Sequence, residues 1–313
     1  MPGSSKVRVP EAPRSLFVHH VELTYAPWAM QHSFAELPSS LPAYIGILGR
    51  PRQYRGEPLP TIEASVASAR FDAARLDAYR ALVHAPRNGQ LPLFAPQLLA
   101  APLHLRLLAD PAFPFPALGL VHLTNRIALH APIPEDAALA LSAHVAGVLP
   151  HRLGHAVTLR TSARLVGEGA AVWTAETVAL ARRKDAAAER GPRAARAPDT
   201  LDLTDAITFE VPEPTGRAYA RVAGDLNPIH QHALLARPFG LRRAIVHGTF
   251  TAARAMSALW PDADTQPGEM LVRFHAPVFL PSRVRMGRTE DGLAVCDADT
   301  GRVQVRVSRK GPA

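Results

Sequence analysis

The stretch Thr249 to Trp260, TFTAARAMSALW, constrains the fold of this chain more than any other. Ala252, Ala255, Met256, Leu259 and Trp260 recur at spacings of three and four, forming one apolar stripe of an α-helix. Pro261 stops the pattern, because proline lacks the amide that the next turn would use. Beyond Pro261 the chain alternates with a period of two: Met270 to Phe274, Ser282 to Arg288, Leu293 to Asp297 and Val303 to Val307. Asp291-Gly292 and Thr300-Gly301 supply turns between these runs. A striped helix followed by short antiparallel strands buries its stripe if the sheet wraps round it.

The rest of the chain fits the same plan twice. Ala206 to Val211 reads as a strand, followed by a short helix over Arg217 to Val222, then a loop and helix through Ala236. In the first half, Leu91 to Ala109 is an apolar helical stretch, bent or divided at Pro102. Strands are expected over Leu120 to His130, Leu139 to Val148, His155 to Val166 and Ala170 to Ala181, the last two forming a hairpin round Gly167-Glu168-Gly169. Lys184 to Thr200, rich in Ala, Arg, Pro and Gly, reads as a linker. Helix then sheet, linker, helix then sheet is an α+β plan of two like halves, 15–183 and 201–313, without a residue-level repeat.

Composition narrows the function classes. No run of eighteen apolar residues occurs, so no membrane span is expected. Met1 to Arg14 has no apolar core of a secretory leader and reads as a flexible terminus, which fits a cytoplasmic protein. The lone Cys296 excludes an internal disulfide and a cysteine-rich metal site, and its place on a strand reads as a small buried hydrophobe. The net charge of +8 comes mainly from scattered arginines, with lysine only at Lys6, Lys184 and Lys310. Basic runs such as Arg182-Arg183-Lys184 lack interleaved aromatics, so a nucleic-acid partner is not expected. A positive surface would help to attract a phosphorylated carrier or an acidic carrier protein.

The chemistry concentrates between Tyr219 and Gly248, in YARVAGDLNPIHQHALLARPFGLRRAIVHG. Asn227-Pro228 favours a turn that can bring Asp225 and His230 to one side at the start of a helix. An acid and an imidazole so placed can share one water and perform general acid–base work. Gly248 opens the apolar helix, where unpaired amides and a partial positive potential make its N–H a donor for a carbonyl oxygen that gains charge. Each residue also has an ordinary reading: Asp225 as a cap, Asn227-Pro228 as a turn, His230, His232 and His247 as structural histidines. Their joint occurrence favours a site. A metal held by Asp225, His230, His232 and His247 ranks below the acid–base reading, because His230 and His232 fall on different faces of a helix. Neither G-x-S-x-G nor G-x-x-x-x-G-K-[ST] occurs, which leaves serine hydrolysis and nucleotide hydrolysis without support.

Residues 219 to 248 resemble the signature of the MaoC-like, (R)-specific enoyl-CoA hydratase family. That signature is an aromatic residue, then G-D-x-N-P-x-H, then an apolar pair followed by H-G, matched by Tyr219, Gly224-Asp225, Asn227-Pro228, His230 and Ile245-Val246-His247-Gly248. Val272 to Val278 resembles the family strand after the central helix, while Ala223 stands where the family often has serine. The resemblance implies a double hot-dog fold, in which two antiparallel sheets each wrap a central helix. It also implies reversible hydration of trans-2-enoyl thioesters, or dehydration of (R)-3-hydroxyacyl thioesters, carried by coenzyme A or acyl-carrier protein, in fatty-acid metabolism.

On this resemblance Asp225 and His230 act on the water, Asn227 orients them and Gly248 binds the thioester oxygen, while Tyr219, His247 and Thr249 contact substrate. No metal or cofactor is implied. Residues 1 to 200 contain no D-x-N-P-x-H, matching family members whose other half loses its site and makes room for a bulky acyl chain. A hot-dog thioesterase and a non-catalytic acyl-thioester-binding subunit remain the alternatives, and association into a homodimer stays open.

Overall fold

The computed structural model describes residues 29–48, 54, 56–183 and 201–310. The terminus 1–14 and the linker 184–200 expected from the sequence lie outside these residues. The first half contains β2 (Thr61–Ala69), α2 (Ala73–Val83), α3 (Ala95–Leu99), α4 (Ala101–Ala109), β3 (Val121–Leu129), β4 (Leu139–His151), β5 (Gly154–Leu165) and β6 (Ala171–Arg182). It is preceded by β1 (Ala29–Phe34) and α1 (Leu41–Leu48). The second half contains β7 (Thr204–Val211), α5 (Pro214–Ala223), α6 (Ala233–Ala236), α7 (Gly248–Leu259), β8 (Gly268–Phe274), β9 (Ser282–Thr289), β10 (Gly292–Asp297) and β11 (Val303–Lys310).

The eleven strands of the described residues form one sheet in the order β1-β2-β4-β5-β6-β3-β8-β11-β10-β9-β7. The order β2-β4-β5-β6-β3 and the order β7-β9-β10-β11-β8 follow the same path through five strands, so the halves repeat in topology. They join where β3 runs antiparallel to β8, from Thr124 opposite Arg273 to Leu129 opposite Gly268. β1 is an addition that pairs parallel with β2 at the outer edge. Each half wraps its sheet round a central helix, α7 in one and the α3–α4 pair in the other, which is the double hot-dog architecture of the α+β class.

Alternation on the strands buries one face: Leu139, Leu141, Ala143 and Val145 of β4 point into the core, as do Leu293 and Val295 of β10. α7 is buried at nine of its twelve positions, so its stripe widens to nearly all round. The helical stretch of the first half breaks at Ala100 rather than Pro102, and Pro102 falls in the first turn of α4, where a missing amide is tolerated. Pro261 likewise opens a short 3-10 turn over Pro261–Asp264 instead of ending all helical structure. The elements β1, α1, β2 and α2 are additions to those read from the sequence. Among the described residues no helix is long and apolar enough to cross a membrane.

Candidate active site

The site is built by the loop between α5 and α7. α5 ends at Gly224, whose φ of 71° places it in the left-handed region that lets the chain turn sharply. Arg75 of α2 fixes this end, its Nε donating to Val222 O at 2.8 Å and its Nη2 to Leu98 O of α3 at 3.2 Å. Asn227 then caps a 3-10 turn over Pro228–His230, its Oδ1 accepting from Ile229 N–H at 3.3 Å. Gly216 allows α5 to lie directly on that turn, since a Cβ there would stand 2.4 Å from His230 O. The expected helix start at His230 is thus a single 3-10 turn, and the following helix α6 is capped by His232, whose Nδ1 accepts from Leu234 N–H at 3.2 Å.

Asp225 divides its two oxygens between different tasks. Oδ1 accepts from Asn227 N–H at 3.0 Å and from Tyr44 O–H at 3.4 Å. Oδ2 faces the imidazoles, 4.0 Å from His230 Nε2 and 3.4 Å from His247 Nε2. His230 Nδ1 lies 2.8 Å from Ile245 O, and a carbonyl can only accept, so Nδ1 carries the proton and Nε2 of the neutral ring is an acceptor. The rings of His230 and His247 stack, with centroids 3.6 Å apart and planes at 23°. Both nitrogens of His247 are buried without a hydrogen-bond partner, so its approach to Oδ2 is close but poorly aligned.

Burial alone would raise the Asp225 carboxyl, but contacts with His247 and His230 and the Asn227 amide outweigh it and hold the group well below the usual carboxylate range. Burial, with the neighbouring His247, lowers His230 to about 3 despite the attraction of Asp225 and the bond to Ile245. At neutral pH the pair is therefore a carboxylate facing an uncharged imidazole. The Asp225 side chain is 40 % accessible although protein surrounds it, because its open side faces a cavity.

That cavity has a volume of about 1800 Å³ and crosses from one half to the other. Asp225, Asn227, His230, His247, Gly248 and Thr249 line one end, and Leu98, Ala101, His104, Leu105 and Leu108 of the first half line another part. Gly248 is the first residue of α7, and a Cβ there would stand 2.6 Å from the Phe274 ring. The glycine is thus required by Phe274 packing on its Cα, a constraint separate from the N–H donor role read from the sequence. Tyr219, expected to contact substrate, is instead fully buried behind the cavity wall. Its O–H donates to Thr249 Oγ1 at 3.2 Å and its ring packs against His247 at 5.0 Å, so it reaches the site through those two residues.

Two residues from outside the second half reach the site without any signal in the motif. Tyr44 of α1 contacts Asp225, and His122 of β3 lines the cavity near Phe274, with ring centroids 5.9 Å apart. The irregular pairing of β3 with β6 between His122 and Thr124 turns His122 to the cavity face. Potential ligand atoms of Asp225, His230 and His247 lie within 4.8 Å of one another, a donor set that could also hold a metal ion. His232, the fourth candidate ligand, is used at the start of α6.

The family model described as MaoC like domain matches residues 189–311. The 3-hydroxyacyl-thioester dehydratase X of Mycobacterium tuberculosis is 31% identical over 250 residues, covering 79% of this chain and 84% of the relative. The chain belongs to the MaoC-like dehydratase family. A crystal structure of HtdX from Mycobacterium tuberculosis superposes with a TM-score of 0.68 at 26% identity, covering 80% of this chain and 100% of that one. A MaoC-like dehydratase from Phytophthora capsici shares the fold, with a TM-score of 0.61 at 16% identity over 86% of this chain and 97% of the other.

Proposed function

We propose that this chain is a hydro-lyase that hydrates trans-2-enoyl thioesters and dehydrates (R)-3-hydroxyacyl thioesters of fatty-acid metabolism in the cytoplasm. The observation that carries the reading is the 4.0 Å separation of two acceptors, Asp225 Oδ2 and His230 Nε2, at the wall of a large cavity. A single water donating a hydrogen bond of about 2.8 Å to each of two acceptors spans roughly 4.4 Å. One water fits between them, spends both hydrogens on the pair and turns its lone pairs towards the cavity.

In hydration the water oxygen forms the bond to Cβ while Asp225 or His230 takes one of its protons. Electrons of the double bond move towards the thioester oxygen, where the Gly248 N–H at the start of α7 stabilises the developing charge. The proton is then returned to Cα, and the pair regains its starting state. Dehydration is the same path reversed. Asn227 sets the position of the pair by capping its turn, and His247 and Thr249 form the adjoining wall. Residues 15–183 act as a half without catalytic groups, 184–200 as linker and 201–313 as the catalytic half. The carrier is coenzyme A or acyl-carrier protein.

The test tracks the enoyl-thioester absorbance of crotonyl-CoA and longer trans-2-enoyl-CoA, with product identification. Wild-type protein should form the 3-hydroxyacyl thioester, and Asp225→Asn or His230→Ala should lower kcat/KM by about 10³-fold, within the range of general acid–base catalysis. Release of free thiol would make the chain a thioesterase instead. Loss of activity with a chelator, restored by zinc, would favour the metal reading of Asp225, His230 and His247.

A further inference from the structure

We infer that Tyr44, on a helix outside both hot-dog sheets, is a positioning residue that holds Asp225 for the reaction. This rests on the hydro-lyase reading and adds to it a residue lying far from the motif. α1 packs against α4, with Gly46 placed where a Cβ would stand 3.8 Å from Ala109 Cβ. The helix thereby carries the Tyr44 ring to the loop after Gly224. There the Tyr44 oxygen accepts from Leu226 N–H at 2.6 Å and its O–H donates to Asp225 Oδ1 at 3.4 Å. One phenol therefore ties the backbone beside the aspartate and the carboxylate itself.

The two carboxylate oxygens decide what this does for the chemistry. Oδ1 is occupied by Tyr44 and by Asn227 N–H, so the carboxylate cannot rotate freely about its Cβ–Cγ bond. Oδ2 is then the oxygen directed at His230 and His247, and the one that meets the water. Without the phenol, Asn227 N–H alone holds Oδ1, and the carboxylate can swing away from the 4.0 Å spacing that one water bridges. Burial and the Asp225 charge both raise the Tyr44 hydroxyl above its usual value, so it stays protonated and remains a donor. The other titratable groups facing Asp225 are His230, His247, Tyr219 from α5 and, from β3, His122. The two nearer imidazoles address Oδ2.

The experiment is Tyr44→Phe, which keeps the ring and removes only the oxygen. Crotonyl-CoA hydration should fall about tenfold in kcat, the rate equivalent of one hydrogen bond, with KM unchanged within about twofold. Amide NMR of the full chain supplies a readout that does not need turnover. The Leu226 N–H should lie downfield in wild type and move upfield in Tyr44→Phe, with faster hydrogen exchange. A kcat within about twofold of wild type would overturn the positioning role, whatever the amide does. An unchanged Leu226 amide would overturn the contact itself. An equal rise in KM without loss of kcat would also overturn it, since that would place Tyr44 in substrate binding. Absence of any wild-type turnover, with the amide shift intact, would count against the hydro-lyase reading and leave the contact standing.

Discussion

The two halves take the same path through five strands, yet one packs its central helix tightly along its length and the other leaves the α4 part of its helix pair open. Nine of the twelve residues of α7 are buried, whereas in the first half α3 is buried throughout but α4 only at Leu103 and Leu107. The open flank of α4 becomes cavity wall through His104, Leu105 and Leu108. The connection before the central helix differs as well: residues 224–247 in the second half against 84–94 in the first, 24 residues against 11. The longer connection has room for the turn that carries Asp225 and His230. Under the proposed function, chemistry and space are thus separated, with one half holding the reacting groups and the other supplying volume for the acyl chain.

This division can be broken most directly at the pair itself. If only the second half performs chemistry, the double variant Asp225→Asn/His230→Ala should be no slower than either single variant. Groups that act as a unit are strongly non-additive, so each variant should lie roughly 10³-fold below wild type. A double variant near the product of the two effects would mean that Asp225 and His230 act independently, and the single-water arrangement would fail.

The role of the open half can be tested next. Leu105→Trp on α4 adds a bulky ring to the cavity wall far along the chain from the catalytic loop. Trans-2-enoyl-CoA substrates of about twelve carbons or more should lose roughly 100-fold in kcat/KM, while crotonyl-CoA stays within about twofold, as expected from steric exclusion. Equal losses for both lengths would place the chain elsewhere. A smaller effect is expected at Gly216, where a Cβ meets the His230 carbonyl at 2.4 Å and rotamer change cannot relieve it. Gly216→Ala should lower kcat about tenfold and stability by about 2 kcal/mol. Gly169→Ala, in the first half with open space around it, should do neither in the same kinetic and melting assays.

Much of this was legible in the sequence. The strands after α7 and the hairpin of β5 and β6 could be read because apolar alternation and turn residues agree over each run. Asp225, Asn227, His230 and Gly248 stood within one short segment. Tyr44 did not, because its contact with Asp225 spans 181 positions and depends on how α1 lies against α4. His122 was hidden for a different reason: an irregularity in strand pairing decides which face it takes, and periodicity cannot show that. β2 buries Ile62, Ala64 and Val66, but interspersed alanine and serine weaken its alternation. The position of Tyr219 behind the wall was also beyond a linear reading, since an aromatic beside a motif can serve the substrate or the residues that touch it.

The smallest predicted effect lies where the closed end of α7 meets the open half. Asp264, in the turn after α7, is buried and its Oδ1 accepts from Leu93 N–H of the first half at 3.1 Å. Burial pushes its carboxyl up to about 6, against partial relief from the Leu93 amide and Arg80. A folded value above the unfolded one means that stability from this group is complete below about pH 4 and is lost as pH rises through about 6. Above that range the folded protein carries an ionised carboxylate that it solvates poorly. Asp264→Asn removes the charge and keeps an oxygen for Leu93. It should raise stability at about pH 8 by about 2 kcal/mol, or several degrees in Tm, and give no gain at about pH 4. Thermal melts at about pH 4, 6 and 8 measure this, and a gain of equal size at all three values would show that ionisation of Asp264 is not what strains the contact between the halves.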